Sequence, residues 1–162
     1  MTLATLVFVA AQQLAPCPTE RFGTAAQCGS IQVAENPARP DGRKIPIRFV
    51  VLRAQGQRLP EPVLLFNGGP GAASTDMAQL ANGPFAPVRQ ERDFLLVDQR
   101  GSGGSYPLMC VAGAAQRPAL AFGHLYDPAF AARCRQDLEG TADLTLYTSD
   151  RVAEDLEQVR RA

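Results

Sequence analysis

The chain has no excess of charge of either sign. Its 16 Lys and Arg residues balance 16 Asp and Glu residues. A protein that binds nucleic acid presents a basic field, and acidic tails are a second kind of interaction segment. Both are missing, so we expect no nucleic-acid partner. The sequence also lacks internal repeats and low-complexity segments, and its length of 162 residues suits one domain of ordinary size.

A long hydrophobic run is missing as well. The first eleven residues, Met-Thr-Leu-Ala-Thr-Leu-Val-Phe-Val-Ala-Ala, have the length of a signal-peptide core and are too short to cross a bilayer as a helix. Val9 and Ala11 suit positions −3 and −1 of a cleavage site, although no Lys or Arg precedes the run. We therefore predict an export signal or its remnant in residues 1–15, no membrane span, and a secreted or periplasmic location.

The residues of a serine-hydrolase triad are also missing. A nucleophilic serine of an α/β-hydrolase lies in a Gly-x-Ser-x-Gly elbow, and the catalytic histidine follows it in the chain. No serine here has those flanking glycines, and the single histidine, His124, lies in a polar loop where we expect a solvated side chain. The five serines of the sequence are Ser30, Ser74, Ser102, Ser105 and Ser149.

Two glycine-rich turns are the most informative features that are present. Residues 63–66 (Val-Leu-Leu-Phe) lead into 67–71 (Asn-Gly-Gly-Pro-Gly), and residues 94–97 (Phe-Leu-Leu-Val) lead into 98–105 (Asp-Gln-Arg-Gly-Ser-Gly-Gly-Ser). Short apolar runs bounded by Gly and Pro predict strands buried on both faces, as in parallel sheets. Glycine at the carboxyl end of such a strand lets backbone amides face a ligand or a developing anion. This pattern favours an enzyme.

The remaining elements fit around these strands. Residues 29–34 and 44–53 alternate between polar and apolar and predict an antiparallel hairpin, with a dense turn signal over 36–42. Helices are predicted around 128–138 and over the last residues, where Val152, Leu156 and Val159 form an apolar stripe.

In order, spacing and residue identity, the two turns resemble those of the α/β-hydrolase peptidases related to proline iminopeptidase and secreted tripeptidyl aminopeptidases. Members carry Gly-Gly-Pro-Gly and then Asp-Gln-Arg-Gly-x-Gly-x-Ser. The segment Val-Ala-Glu-Asn-Pro-Ala-Arg-Pro-Asp-Gly-Arg is similar to the secreted group at the same place. The resemblance implies an α/β fold over residues 16–162: the amino-terminal portion of an α/β-hydrolase, an antiparallel hairpin leading into a parallel sheet, truncated before the nucleophile elbow.

The resemblance also implies roles in the first turn. One oxyanion-hole amide of this fold comes from the loop after the third strand. Gly69 is the expected donor and Gly68 the fallback, whereas Pro70 has no N–H to donate. We expect Asn67, Pro70 and Gly71 to support the loop.

The second turn is expected to be architectural. By resemblance, Asp98, Arg100 and Gly101 support the loop beneath the site, and charged side chains bond to neighbouring backbone. An acid, clamp or nucleophile role for Asp98, Arg100 or Ser105 is the less favoured alternative.

Four cysteines, Cys17, Cys28, Cys110 and Cys134, allow three disulfide pairings. The resemblance implies the local ones, Cys17 with Cys28 and Cys110 with Cys134. The alternative is four unrelated buried thiols. Neither pair has metal-ligand spacing, so no metal site is expected.

The leading hypothesis is therefore the amino-terminal fragment of a secreted serine peptidase or esterase, an aminopeptidase by resemblance. It needs no cofactor, would act on peptide or ester substrates in the complete enzyme, and is inactive alone. In this fold the strand over 63–66 lies between the 94–97 strand and the elbow strand. Its edge would be open here, so we expect self-association.

Two alternatives are kept. One is a nucleotide-binding α/β module that uses the turn from Gly69 to Ser74, with Asp98 as a ribose-binding acid. Against it stand the proline within the turn, the two strands that precede it and the absence of a Gly-Lys-Ser/Thr loop. The other is a noncatalytic binding protein, which no residue pattern supports.

Overall fold

A computed structural model describes residues 14–23, 25–69, 71–110 and 128–162. The elements of its first half, in chain order, are β1 (Ala15–Pro16), α1 (Thr19–Phe22), β2 (Ala26–Ala34), β3 (Lys44–Leu52), β4 (Val63–Leu65), a 3-10 turn (Ser74–Met77), α2 (Ala78–Asn82) and α3 (Ala86–Arg89). The second half contains β5 (Phe94–Val97), α4 (Pro128–Glu139), a 3-10 turn (Leu144–Leu146) and α5 (Ser149–Arg161). The predicted signal segment, apart from its last two residues, and His124 lie outside the described residues.

The strands of the described residues form one mixed sheet in the order β1-β2-β3-β5-β4. The predicted hairpin is confirmed: β2 and β3 pair antiparallel from Ala26 opposite Leu52 to Ala34 opposite Lys44. β3 pairs antiparallel with β5, and β5 pairs parallel with β4. An antiparallel hairpin therefore leads into a parallel pair, and the chain is of the α/β class.

Strand alternation divides the core between the two faces of the sheet. Val50, Leu52, Phe94 and Leu96 face one side and pack with α1 and α2. The opposite side holds Val159 of α5 and six residues of the strands β2, β3 and β5: Ile31, Val33, Ile45, Ile47, Phe49 and Val97. Each face of the sheet thus has its own apolar cluster, because successive strand residues point in opposite directions.

Both predicted local disulfides are present. Cys17 bonds to Cys28, which ties β1 to β2, and Cys110 bonds to Cys134 of α4. Closing a chain segment with a covalent bond restricts the unfolded chain, so each bridge stabilises the fold mainly through the unfolded state in the chain-entropy view.

The prediction that residues 63–66 are buried on both faces is wrong. The strand covers Val63–Leu65 only, Leu64 is 41% exposed and Phe66 is 40% exposed. Among the described residues β4 pairs only with β5, and α5 packs over β2 on the same side of the sheet as Leu64. The companion prediction for β5 is confirmed, since Phe94, Leu96 and Val97 are buried.

We expect this edge to make the isolated chain self-associate. Unpaired strand edges without charge or proline recruit other strands. In sedimentation velocity, Leu64→Lys should raise the monomer fraction, whereas Leu80→Lys, at an equally exposed site on α2 (41% against 40%), should not. In hydrogen exchange on the monomer fraction, the amides of Leu64 and Leu65 should exchange faster than those of Leu95 and Leu96. A monodisperse parent protein with strong protection at Leu64 would contradict this expectation.

A buried aspartate fixes the start of β5. The Asp93 carboxylate accepts hydrogen bonds from the Ala54 N–H at 2.8 Å and from Arg53 at 2.8 Å, and Arg58 lies 3.0 Å away. Burial alone would raise the pKa of Asp93, but the amide and the two guanidinium groups outweigh it and hold the pKa below its ordinary value. The ionised form is therefore the one that the fold stabilises.

Asp93→Asn should reduce the free energy of unfolding by about 1.5–3 kcal/mol at pH 7, the range for hydrogen bonds to charged groups. Because the folded pKa is lowered, the parent's advantage is present above the unfolded pKa of about 3.9 and disappears as the pH falls through the folded value. Urea denaturation of both proteins between pH 7 and pH 2 measures this difference. A difference that stays constant over that range would contradict the assignment.

Candidate functional site

The two glycine-rich turns lie side by side. β4 and β5 are parallel and hydrogen-bonded, so the segments that follow Leu65 and Val97 leave the sheet at the same edge. A cleft of about 310 Å³ lies between them. Its lining comes from the turns, from the residues that follow the first turn and from three other segments: Gly71, Ala72, Ala73, Thr75, Asp76, Asp98, Gly103, Gly104, Arg21, Arg48 and Met109. Carboxyl ends of parallel strands are where open α/β sheets bind ligands.

Asn67 closes the first loop. Its side-chain amide donates to the Ala73 carbonyl at 3.0 Å, and its backbone N–H donates to the Ser74 hydroxyl at 3.3 Å. Within the loop, the Ala72 N–H donates to the Gly69 carbonyl at 3.2 Å. Gly69 has a φ of +81°, in the left-handed region that glycine adopts without steric cost. The loop therefore has fixed ends and a turn that requires glycine.

The backbone amides of Gly68 and Gly69 are available to a ligand. Neither N–H has a hydrogen-bond acceptor among the described residues, and both residues are exposed. A Cβ placed on either one would meet no atom within 4 Å. Adjacent amides without acceptors suit a negatively charged oxygen, including one that develops during acyl transfer. Pro70, between Gly69 and Gly71, lies outside the described residues.

Asp98 joins the two turns. Its side chain is completely buried, and its carboxylate accepts from the Thr75 N–H at 2.9 Å, the Thr75 hydroxyl at 3.2 Å and the Gly104 N–H at 2.9 Å. All three partners are neutral donors from neighbouring loops. This carboxylate is occupied by structural contacts, and it bonds to backbone as expected for this turn.

The second turn packs too tightly for side chains or a free nucleophile. A Cβ on Gly103 would lie 2.3 Å from Oδ2 of Asp98. The Ser105 hydroxyl donates to the Asp98 carbonyl at 2.7 Å and accepts from the Arg48 N–H at 2.8 Å. Ser105 is fully buried, so its hydroxyl is a structural bridge between the turn and β3.

Arg100 points away from the cleft into a buried ion pair. Its guanidinium donates to both carboxylate oxygens of Asp155 on α5, each at 2.7 Å. The remaining nitrogen donates to the carbonyls of Glu35 and Leu146, each at 3.0 Å. Gly101 lets this arrangement form: a Cβ there would lie 2.9 Å from the ring of Tyr147. Arg100 and Gly101 hold the second turn against α5 rather than contacting a ligand.

Glu35 extends this buried cluster. Its carboxylate accepts from the Tyr147 hydroxyl at 3.1 Å and the Asp143 N–H at 3.1 Å, and Arg43 lies 3.4 Å away. Burial, and then the charge of Glu35, raise the pKa of Tyr147 far above its usual value. The phenol therefore remains a neutral hydrogen-bond donor at any physiological pH.

A larger cleft, of about 680 Å³, lies away from the glycine turns, between the end of the β2–β3 hairpin and α4. Its charged lining includes pairs that bond to each other, Arg43 with Glu35 and Arg135 with Glu139. The cleft between the turns is smaller, but it adjoins the loop with available amides, so the candidate site is there.

Sequence reasoning missed several side chains that organise the site. Thr75 belongs to no motif. Asp155 lies on the final helix outside its predicted apolar stripe, where a polar residue gives no sign of burial. Glu35 directly precedes the turn signal over 36–42 and has no predicted role of its own. The only available signal was chemical: an Asp-Gln-Arg turn needs a donor set for its acid and an acceptor for its arginine.

The chain matches no protein-family model, and no curated protein is significantly similar to it. Within the described ranges, no helix has the length and apolarity needed to cross a membrane, and no group of three or more metal-ligating side chains is found.

Removing one partner of the buried ion pair should be costly. We expect Asp155→Ala to lower the free energy of unfolding by about 3–5 kcal/mol, because Arg100 would stay buried without a counter-charge. Glu157→Ala removes an exposed carboxylate from the same helix, paired with Arg160 and Arg161, and should cost less than about 1 kcal/mol. Urea denaturation with intact disulfides compares the two; equal losses would show that the Arg100 contact does not hold the fold.

Proposed function

We propose that this chain carries the oxyanion-binding part of a secreted α/β-hydrolase serine peptidase or esterase, and that it is an amino-terminal fragment inactive alone. Gly69 is the proposed donor and Gly68 the second choice. The supporting observation is the pair of amides without acceptors at the end of β4, held in a loop with fixed ends. Preorganised donors of this kind are worth about 3–4 kcal/mol each to a transition state that develops an oxyanion.

The surrounding architecture supports the same proposal. An antiparallel hairpin precedes the parallel pair, and β4 lies beside β5 with its other edge unpaired among the described residues, where the resemblance expects the elbow strand. The nucleophile, base and acid would come from residues that these 162 do not include. Peptide N-termini are the proposed substrates, by resemblance alone.

Secretion is part of the proposal. Both cysteine pairs form disulfides, which persist mainly in oxidising compartments. The apolar first residues are consistent with export.

The isolated chain should not react with a fluorophosphonate and should not hydrolyse aminoacyl esters. Ser105 is engaged at both hydrogen-bonding positions, and Ser74 is fully buried and accepts from Asn67. Intact-mass spectrometry after labelling measures this, with Ser74→Ala and Ser105→Ala proteins as controls for nonspecific adducts. A stoichiometric adduct lost in either variant would identify a nucleophile and contradict the proposal.

The positive test is the coding DNA. An open frame that continues this chain and soon encodes Gly-x-Ser-x-Gly would support the proposal, and the corresponding longer protein should then be labelled at that serine. A gene that ends with these residues, or continues without such a serine, would exclude the serine-hydrolase assignment.

The nucleotide-binding alternative has less support. A dinucleotide fingerprint opens directly onto a helix. Here the turn leads into a 3-10 turn (Ser74–Met77) and then into the five-residue α2. Thermal melting with NAD or ATP separates the two functions, since nucleotide-dependent stabilisation would favour the alternative.

A further inference from the structure

The first loop is connected to the second glycine-rich turn at both of its ends: the Gln99 side chain donates to the Asn67 carbonyl at 3.5 Å, and the Asp98 carboxylate accepts from Thr75, just after the loop. We propose that Asp98 and Thr75 are positioning residues that set the direction of the Gly68 and Gly69 amides. This inference rests on the proposed function of those amides and names the residues that control them.

Asp98 anchors the far end of the loop. Thr75 follows the loop and is 1% exposed, and Asp98 holds both its N–H (2.9 Å) and its hydroxyl (3.2 Å). Two bonds from one residue to one carboxylate fix both the position and the rotation of the backbone there. The start of the 3-10 turn is thus fixed relative to the end of β5.

Thr75 is connected back to the Gly68 and Gly69 amides through the residues that precede it. The neighbouring Ser74 accepts from the Asn67 N–H, and Ala73 accepts from the Asn67 side chain. Residues 67 and 73–74 are therefore joined at the base of the loop, with Gly68 and Gly69 between them. A change at Thr75 alters this base, although neither Thr75 nor Asp98 is bonded to Gly68 or Gly69.

Position 98 requires a carboxylate. Every side-chain partner of Asp98 is a donor: one on Oδ1 and two on Oδ2. A carboxylate accepts at both oxygens, whereas an amide presents one oxygen and one NH₂ group. In Asp98→Asn the NH₂ group must therefore face either the Thr75 N–H or the Gly104 N–H, and the turn that it faces loses its backbone hydrogen bond.

Glycine-selective ¹⁵N labelling gives a direct test on this chain. The spectrum contains at most 14 glycine cross-peaks. Single substitutions of Gly68 and of Gly69 identify the cross-peaks of these two residues. In Asp98→Asn the cross-peaks of both should shift or split. In Thr75→Val, which loses only the hydroxyl, the same peaks should move in the same direction by less, and Thr75→Ser should restore the parent positions.

Asp93→Asn is the matched control. Asp93 is a second buried aspartate flanking β5, 3% exposed, and its contacts are at the opposite end of the strand. The Asp93→Asn substitution should destabilise the protein while leaving the Gly68 and Gly69 cross-peaks in place. Gly42 and Gly140, which are distant in the fold, should stay in place in every variant.

Gly68 and Gly69 peaks that stay in place in Thr75→Val, and also in Asp98→Asn where that variant folds, would overturn the inference. Equal shifts in Asp93→Asn would overturn it as well. The readout involves no chemistry, so its failure is distinct from a failure of the proposed function, which the serine-labelling and coding-sequence experiments decide.

Discussion

The bidentate contact between Arg100 and Asp155 is the interaction on which the rest of this structure depends. One guanidinium joins the turn after β5, helix α5, the 3-10 turn of Leu144–Leu146 and the end of β2. An arginine is suited to this role because its planar group presents five donors in a fixed geometry. The cost of burying the charge is offset only while both carboxylate oxygens and both carbonyls are in place, so these four segments must assemble together.

The acids at the two ends of β5 show two ways to bury a carboxylate. Asp93 accepts from one backbone amide and is matched by two guanidinium groups that reach toward solvent, whereas Asp98 is held by neutral donors alone. Long arginine side chains can move while they keep their contact with a charge, but the Thr75 and Gly104 amides cannot move without their loops. The candidate site is therefore at the end of β5 whose carboxylate depends on the loops for every one of its bonds.

Much of the framework could be predicted from local sequence. The hairpin followed from alternation in residues 44–53, the glycine turns from composition, and the disulfide pairing from the resemblance. The exposure of Leu64 could not be predicted, because an apolar run does not reveal which strands will flank it. Thr75, Glu35 and Asp155 were missed for a related reason: their roles come from partners that are distant in the chain. Polar residues acquire such roles through three-dimensional neighbours, which a one-dimensional pattern does not contain.

The Cys110–Cys134 bridge has a consequence for how this chain can vary. The two half-cystines are 24 positions apart, and the bond holds the ends of that segment together regardless of what lies between them. The entropic cost of lengthening a closed loop grows only with the logarithm of its length. A change in the number of residues between the two half-cystines should therefore cost the fold little, because the bond keeps Cys110, just after the second glycine-rich turn, tied to α4.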